Sequence, residues 1–211
     1  MPNIEQARDW YADDDPVHGF DHVLRVLRMA ERIGSELGAN LKILQAAALL
    51  HDASGAHPGE GSSRADHENA SAAFALQVLL EEGWDDGEIE AVLHCIRAHR
   101  FRGKEAPQSL EAKILFDADK LDVIGAFGTA RTIGYAVQAG QPVFAEPSQQ
   151  FLSSGETSPG EPHSAYHEYL FKLKNIKERL HTGPAMTIAE NRDCLLRMFF
   201  DQLAAEARGE A

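Results

Sequence analysis

The stretch FDHVLRVLRMAERIGSEL, residues 20–37, decides the fold class of this chain. Its apolar residues recur at spacings of three and four, which is the period of one face of an α-helix. Gly38 follows as a natural C-terminal stop. His22 stands one turn before Val26 on the apolar stripe, so the spacing predicts that its imidazole points into the core.

Helical periodicity dominates the rest of the chain as well. Further helices are predicted over residues 41–52, 66–82, 85–100, 109–121 and 125–139, with two more after Pro162 and Pro184. Alternation of period two and hairpin turn signals are nearly absent, so no sheet is predicted. The sequence therefore predicts an all-α, single-domain helical bundle over residues 1–211. Its core is expected at about 20–125, with C-terminal helices at 163–207 packing on it.

Two segments interrupt the helical pattern, at 55–64 and 141–162. Both are rich in Gly, Ser or Pro. The second is longer than passive connections usually are, which predicts either a functional lid or a disordered excursion.

Composition limits the classes of partner. The chain has 211 residues, 44% of them hydrophobic, and a formal net charge of −13. Such a surface repels nucleic acid polymers and anionic membranes, whereas bound cations would still allow phosphates to bind. The two cysteines are far apart and the N-terminal stretch lacks an apolar run, so we expect a cytoplasmic protein. The oligomeric state stays open, a homodimer included.

Four polar residues occupy positions where the helical pattern expects apolar ones. They are His22, the adjacent His51 and Asp52 at the end of helix 41–52, and Asp119, one turn after Leu115. Burying such groups is costly unless they are paired or ligate a cation. Two imidazoles and two carboxylates suit Mn, Mg, Ni, Co, Fe or Zn. The pattern predicts one divalent metal site, although each residue alone also fits a satisfied core histidine, a helix cap or a solvated acidic face.

Further residues are candidates for catalysis and substrate binding. Asp122, one turn from Asp119, is expected to orient a water or a ligand, with an ion pair to Lys120 or Arg131 as the alternative. Arg25, Lys120 and Arg131 are candidate phosphate clamps, each with a solvated or salt-bridged cation as the alternative.

The remaining histidines divide into two groups. His67 and His99 are expected to face the pocket, where they would bond substrate phosphate or position the attacking water. His94 lies in a different direction from His99 on the same helix. Surface positions are expected for the others, which are His18, His57, His163, His167 and His181.

The order of these residues resembles that of a known family. His22, His51–Asp52 and Asp119 follow the pattern H…HD…D of the HD-domain superfamily of metal-dependent phosphohydrolases. The similarity extends to HGFDHVLRVLRMA, AAALLHDAS, DADKLDVIGAFGTAR and FKLKNIKERLHT…IAENR, as in small bacterial HD-domain hydrolases. It implies an all-α fold, one divalent metal with Asp52 among its ligands, and hydrolysis of a phosphate ester or anhydride, with nucleoside triphosphates suggested as substrates.

We therefore expect a metal-dependent phosphohydrolase in which Asp52, His67 and Asp122 take part in catalysis. The residues that we expect to bind the substrate are Arg25, His99, Lys120 and Arg131. Two alternatives stay open. One is a di-iron oxygenase, which needs His67 plus His94 or His99 as ligands, and the other is a catalytically silent nucleotide sensor. The metal, the scissile bond and the general base are also left open by the sequence.

Overall fold

The computed structural model describes residues 1–11, 19–53, 67–100 and 105–211, apart from the side chain of His67. Predictions that concern His18, His57 or segment 55–64 lie outside these residues. Every described element is helical, which confirms the all-α prediction. The α-helices are α1 (Ile4–Arg8), α2 (Phe20–Leu37), α3 (Leu41–Leu50), α4 (His67–Glu81), α5 (Asp86–Ala98), α6 (Leu110–Asp122), α7 (Gly125–Gln138), α8 (Gln149–Ser154), α9 (Ala165–Phe171) and α10 (Gly183–Arg208).

Helix α2 has the bounds that its periodicity predicts. Its buried side chains include His22, Val26 and Ile33, so the apolar stripe is the inner face. Gly38 ends the helix with φ 69°, in the left-handed region that glycine adopts without a Cβ penalty.

The chain divides into two compact units, and the first contains Met1–Lys120 and His181–Ala185. Helix α3 lies at its centre, in contact with α1, α2, α4 and α5. Residues 46–50 of α3 are all buried, which explains why this half of the helix consists of alanine and leucine only. His51 and Asp52 directly follow this buried helix, which positions them at the core of the unit.

The second unit contains Leu121–Leu180 and Met186–Ala211. Within it the ring of Tyr169 stacks on Phe200 at 4.5 Å. Segment 141–162 contains helix α8, which Ser148 caps at its N-terminus. The expectation of a disordered excursion is therefore wrong, and a role as a lid stays a prediction. The single-domain organisation likewise stays a prediction.

One histidine of the second unit corrects the sequence analysis. His167 was expected at the surface but is fully buried. Its Nδ1 lies 2.7 Å from the Ser164 hydroxyl and its Nε2 lies 3.0 Å from a Glu161 oxygen. Glu161 also accepts hydrogen bonds from the backbone N–H groups of Ser148 and Ser158, both at 2.6 Å. His167 thus helps to hold segment 141–162 in place.

Within the described ranges, no helix has the length and apolar character needed to cross a membrane.

Candidate metal centre

Three helices of the first unit bring His22, His51 and Asp119 together. Their potential ligand atoms all lie within 4.8 Å of one another. The three residues are buried, with 4%, 0% and 7% of their surface exposed respectively. His22 Nε2 lies 3.3 Å from Asp119 Oδ1. Two imidazole nitrogens and a carboxylate form a donor set that suits several divalent metals.

The ring of His51 has a defined orientation. As the residue that caps the C-terminus of α3, it donates a hydrogen bond from Nδ1 to the Ala48 carbonyl at 2.8 Å. This bond keeps the proton on Nδ1, so Nε2 presents a lone pair. Among the described residues Nε2 has no hydrogen-bond partner, although it is buried. An orphaned ring nitrogen beside a second imidazole and a carboxylate is what a metal ligand requires.

The charge state of His51 agrees with that role. Burial lowers the pKa of His51 to about 4, and the neighbouring rings of His99 and His22 act in the same direction. The Asp52 carboxylate opposes this shift without cancelling it. The imidazole is therefore neutral at physiological pH, which is the form that binds metals.

His99 repeats the local geometry of His51 on a neighbouring helix. It caps the C-terminus of α5, and its Nδ1 donates to the Ile96 carbonyl at 2.5 Å. The rings of His99 and His51 meet edge to face at 5.2 Å. Both histidines therefore present Nε2 towards the same region, because α3 packs against α5. His99 is buried, with 3% of its surface exposed, and its place in a substrate pocket stays a prediction.

Asp52 lies between these two imidazoles. Its Oδ2 is 3.5 Å from His51 Nε2, and its Oδ1 is 3.4 Å from His99 Nε2. Burial opposes ionisation of Asp52, but the two histidines outweigh it and hold the pKa of this carboxyl below its usual value. Burial lowers the pKa of His99, but the contact with Asp52 outweighs this effect, and the pKa of His99 lies above its ordinary value. Asp52 is half-buried, with 21% of its side chain exposed.

Three of the four predicted ligands, His22, His51 and Asp119, thus have potential ligand atoms within 4.8 Å of one another. The fourth, Asp52, lies beside them, 3.5 Å from His51. Ligation of a metal by any of these four residues stays a prediction.

Lys120 adds a positive charge next to the cluster. Its ammonium contacts Asp119 Oδ2 and lies 5.3 Å from the centre of the Phe116 ring. Burial raises the pKa of Asp119, but Lys120 and then His22 outweigh it and hold that pKa well below its usual range. Lys120 itself is buried, with 8% of its surface exposed.

The acidic residues of α6 do not form a solvated face, contrary to the alternative that the sequence left open. Asp117, Asp119 and Asp122 are all buried. Asp117 accepts hydrogen bonds from the backbone N–H of His181 at 2.9 Å and from the N–H and hydroxyl of Thr182 at 2.8 and 2.6 Å. It therefore holds the start of α10 rather than a metal.

Asp122 and Arg131 form an ion pair within the second unit. Arg131 Nη1 donates to Asp122 Oδ2 at 2.6 Å. This is the alternative that the sequence allowed for Asp122, and its role in orienting water stays a prediction. Arg25 lies half-buried on α2, and its contact with phosphate stays a prediction too.

The side chain of His94 lies away from the cluster. His94 Nδ1 bonds a Glu105 oxygen at 2.5 Å, and its Nε2 accepts from the backbone N–H of Gln108 at 3.0 Å. Both nitrogens of His94 are thus engaged away from the cluster. His67 begins α4, but its side chain lies outside the described residues.

Sequence analysis missed Tyr11. This residue is 5% exposed, and its hydroxyl donates to the Leu49 carbonyl at 2.9 Å, just before His51 and Asp52. Burial first, and then the charge of Asp52, raise the pKa of Tyr11 well above its usual value. No local pattern could have revealed it, because Tyr11 and Leu49 are 38 residues apart.

Comparison with known proteins identifies the family of this chain. Residues 19–124 match the HD domain family, and the chain belongs to that family. Its relatives include YpgQ of Bacillus subtilis, which is 31% identical over 99% of this chain and 96% of its own length.

Solved structures of relatives share the fold. The B. subtilis YpgQ structure in complex with ADP has a TM-score of 0.74 and 25% identity, covering 99% of this chain and all of that one (100%). An HD-superfamily hydrolase from Bacillus thuringiensis has a TM-score of 0.70 and 26% identity, covering 97% of this chain and 94% of its own.

Proposed function

We propose that the protein is a divalent-metal-dependent phosphohydrolase acting on a small phosphorylated molecule, with nucleotides as the favoured class. The observation that carries this proposal is that His51, whose buried Nε2 has no hydrogen-bond partner among the described residues, shares a cluster of potential ligand atoms within 4.8 Å of one another with His22 and Asp119. Membership of the HD domain family supports the reaction class. The complex of YpgQ with ADP supports the substrate class.

His22, His51 and Asp119 would hold the ion, with Asp52 as the candidate fourth ligand. A bound divalent ion supplies a water of lowered pKa and neutralises negative charge on a phosphoryl oxygen. The chain itself provides orientation. His99 Nε2 lies 3.4 Å from one oxygen of Asp52, where a protonated imidazole would limit rotation of that carboxylate. Lys120 is positioned by Asp119 and offers an ammonium group to a phosphate oxygen.

The deciding experiment is turnover of nucleoside mono-, di- and triphosphates by metal-stripped protein to which Mn²⁺, Mg²⁺, Ni²⁺, Co²⁺, Fe²⁺ or Zn²⁺ is returned. Chromatography of the products identifies the bond that is cleaved. We expect metal-dependent release of phosphate or pyrophosphate. Binding of metal and nucleotide without turnover of any of these substrates would instead favour the silent sensor.

Variants connect that turnover to the site. His51→Ala and Asp119→Ala each remove a ligand and should abolish both metal binding and hydrolysis. His163→Ala is the matched control, because it deletes an imidazole from the second unit, where the His163 side chain is 39% exposed. Full metal occupancy and wild-type turnover in either ligand variant would contradict the assignment.

His99 separates the hydrolase from the di-iron oxygenase. If His99 orients Asp52 and binds the substrate without ligating a metal, His99→Ala should keep about one metal per chain while kcat falls or KM rises. Loss of a second metal in this variant, or turnover that consumes dioxygen, would favour the oxygenase.

A further inference from the structure

Helix α10 carries two stripes of residues on different sides. The inner stripe is buried and consists of Ala189, Asp193, Leu196, Phe200 and Ala204. What we call the outer stripe consists of Ile188, Asn191, Leu195, Met198, Gln202 and Ala205. Leu195 is 44% exposed and Met198 is 68% exposed, so its two central members leave large apolar surfaces in water. A row of exposed apolar side chains is typical of an interaction surface, whereas single exposed apolar residues are normal on any protein.

The spacing of the outer stripe is that of a coiled-coil seam. Successive members are three and four residues apart in strict alternation from 188 to 205. This is the heptad period of 3.5 residues, which brings one side of a helix against a partner helix over its whole length. At 1.5 Å per residue the seam is about 25 Å long. The expected partner is thus another helix of similar length.

The charge of the outer stripe points to a second copy of this chain. The protein has a formal net charge of −13, yet none of the six members of the stripe is charged. Two acidic molecules can therefore meet along this line without placing like charges in contact. A strongly basic partner would gain no electrostatic attraction from a stripe that carries no charge.

The order of residues in the stripe is self-complementary. When two copies of α10 run antiparallel about a twofold axis between residues 196 and 197, Leu195 meets Met198 of the other copy. In the same register Asn191 meets Gln202, and Ile188 meets Ala205. These are pairs of a and d positions, as in antiparallel coiled-coil layers, and each is generated twice by the twofold axis.

The polar pair fits this register. Gln202 Nε2 already donates to Glu206 Oε1 of its own helix at 2.8 Å. The amide oxygen of Gln202 is then the acceptor for the side-chain N–H of Asn191 in the other copy. A polar pair inside an apolar seam selects one register.

We propose that the outer stripe of α10 is a homodimer interface in which two copies of the helix pack antiparallel. The seam is shorter than the interfaces of permanent dimers, so we infer a monomer–dimer equilibrium with a dissociation constant on the order of micromolar. The proposal concerns a surface and does not depend on the proposed hydrolase activity.

The first test is sedimentation equilibrium over about a hundredfold range of protein concentration. The wild-type chain should shift from monomer to dimer, whereas Leu195→Glu and Met198→Glu should stay monomeric, because each places two charges in the seam. Leu152→Glu is the control, since Leu152 is 53% exposed on α8 and outside the stripe. A wild-type chain that stays monomeric throughout, or dimers that persist in both glutamate variants, would overturn the proposal.

The second test examines the register by disulfide formation. Exposed Cys194 is first replaced by Ser, while buried Cys95 remains. Chains carrying Leu195→Cys and Met198→Cys are then oxidised separately and as a mixture. The mixture should crosslink, because residues 195 and 198 face each other. Either variant alone should crosslink poorly, because equivalent residues are offset by about 4.5 Å along the axis. Fast crosslinking of a single variant would contradict the antiparallel register.

Discussion

Replacing Tyr11 by Phe removes one hydroxyl and leaves the ring in place. Leu49 is among the last four residues of α3, whose carbonyls have no partner further along the helix. The variant loses one hydrogen bond and leaves a buried carbonyl without its donor. We expect the free energy of unfolding to fall by about 1–3 kcal/mol.

The substitution should also weaken metal binding. The Leu49 carbonyl lies in the same helical turn as the Ala48 carbonyl that orients His51. When this turn loosens, His51 and Asp52 are held less firmly, and we expect metal affinity to fall by about tenfold. Urea unfolding of the metal-free protein and calorimetric titration with Mn²⁺ measure the two effects separately.

Tyr169→Phe is the matched control, because it deletes the hydroxyl of a buried tyrosine in the second unit. Its metal affinity should equal that of the wild type. If Tyr11→Phe lost stability but bound metal as tightly as the wild type, Tyr11 would support the fold without positioning the ligands.

Two further predictions concern stability. Asp117→Ala should lower the free energy of unfolding by about 3–5 kcal/mol in urea denaturation, because three donors from His181 and Thr182 lose their buried acceptor; a change under about 1 kcal/mol would contradict this. The hydrogen bond from His167, followed by those from Ser148, lowers the pKa of Glu161 from 4.5 to about 2. A depressed carboxyl pKa stabilises the native state above the unfolded-state value and loses this effect as pH falls through the folded-state value. The stability difference between wild type and Glu161→Gln should thus be present above pH 4.5 and vanish towards about pH 2, whereas exposed Glu156→Gln should show no such difference.

The sequence predicts best where a helix is long and amphipathic. The bounds of α2 follow from its apolar period and from Gly38, and the same period indicates that His22 is buried. The sequence does not predict helix α8, because its six residues contain too few turns for an apolar period to appear. Its signals are Ser148 at the N-cap and Gly155 at the C-cap, which are also common in turns.

Contacts between distant segments are what the sequence does not predict. His167 is buried because Phe151 packs against its ring at 4.3 Å, and no neighbour in its own helix indicates this. The pairing of Asp52 with His99 likewise depends on the packing of α3 against α5. Helical periodicity gives the direction of each candidate ligand, whereas packing decides which of them meet.

The bond from His51 Nδ1 to the Ala48 carbonyl couples ligand geometry to the winding of the last turn of α3. When this turn frays, the ring loses its orientation and the lone pair of Nε2 no longer points at its neighbours. By thermodynamic reciprocity, any ion held by Nε2 must suppress fraying by the same factor by which fraying weakens its binding. Amide hydrogen exchange at the end of α3 is therefore a reporter of occupancy that requires neither substrate nor turnover.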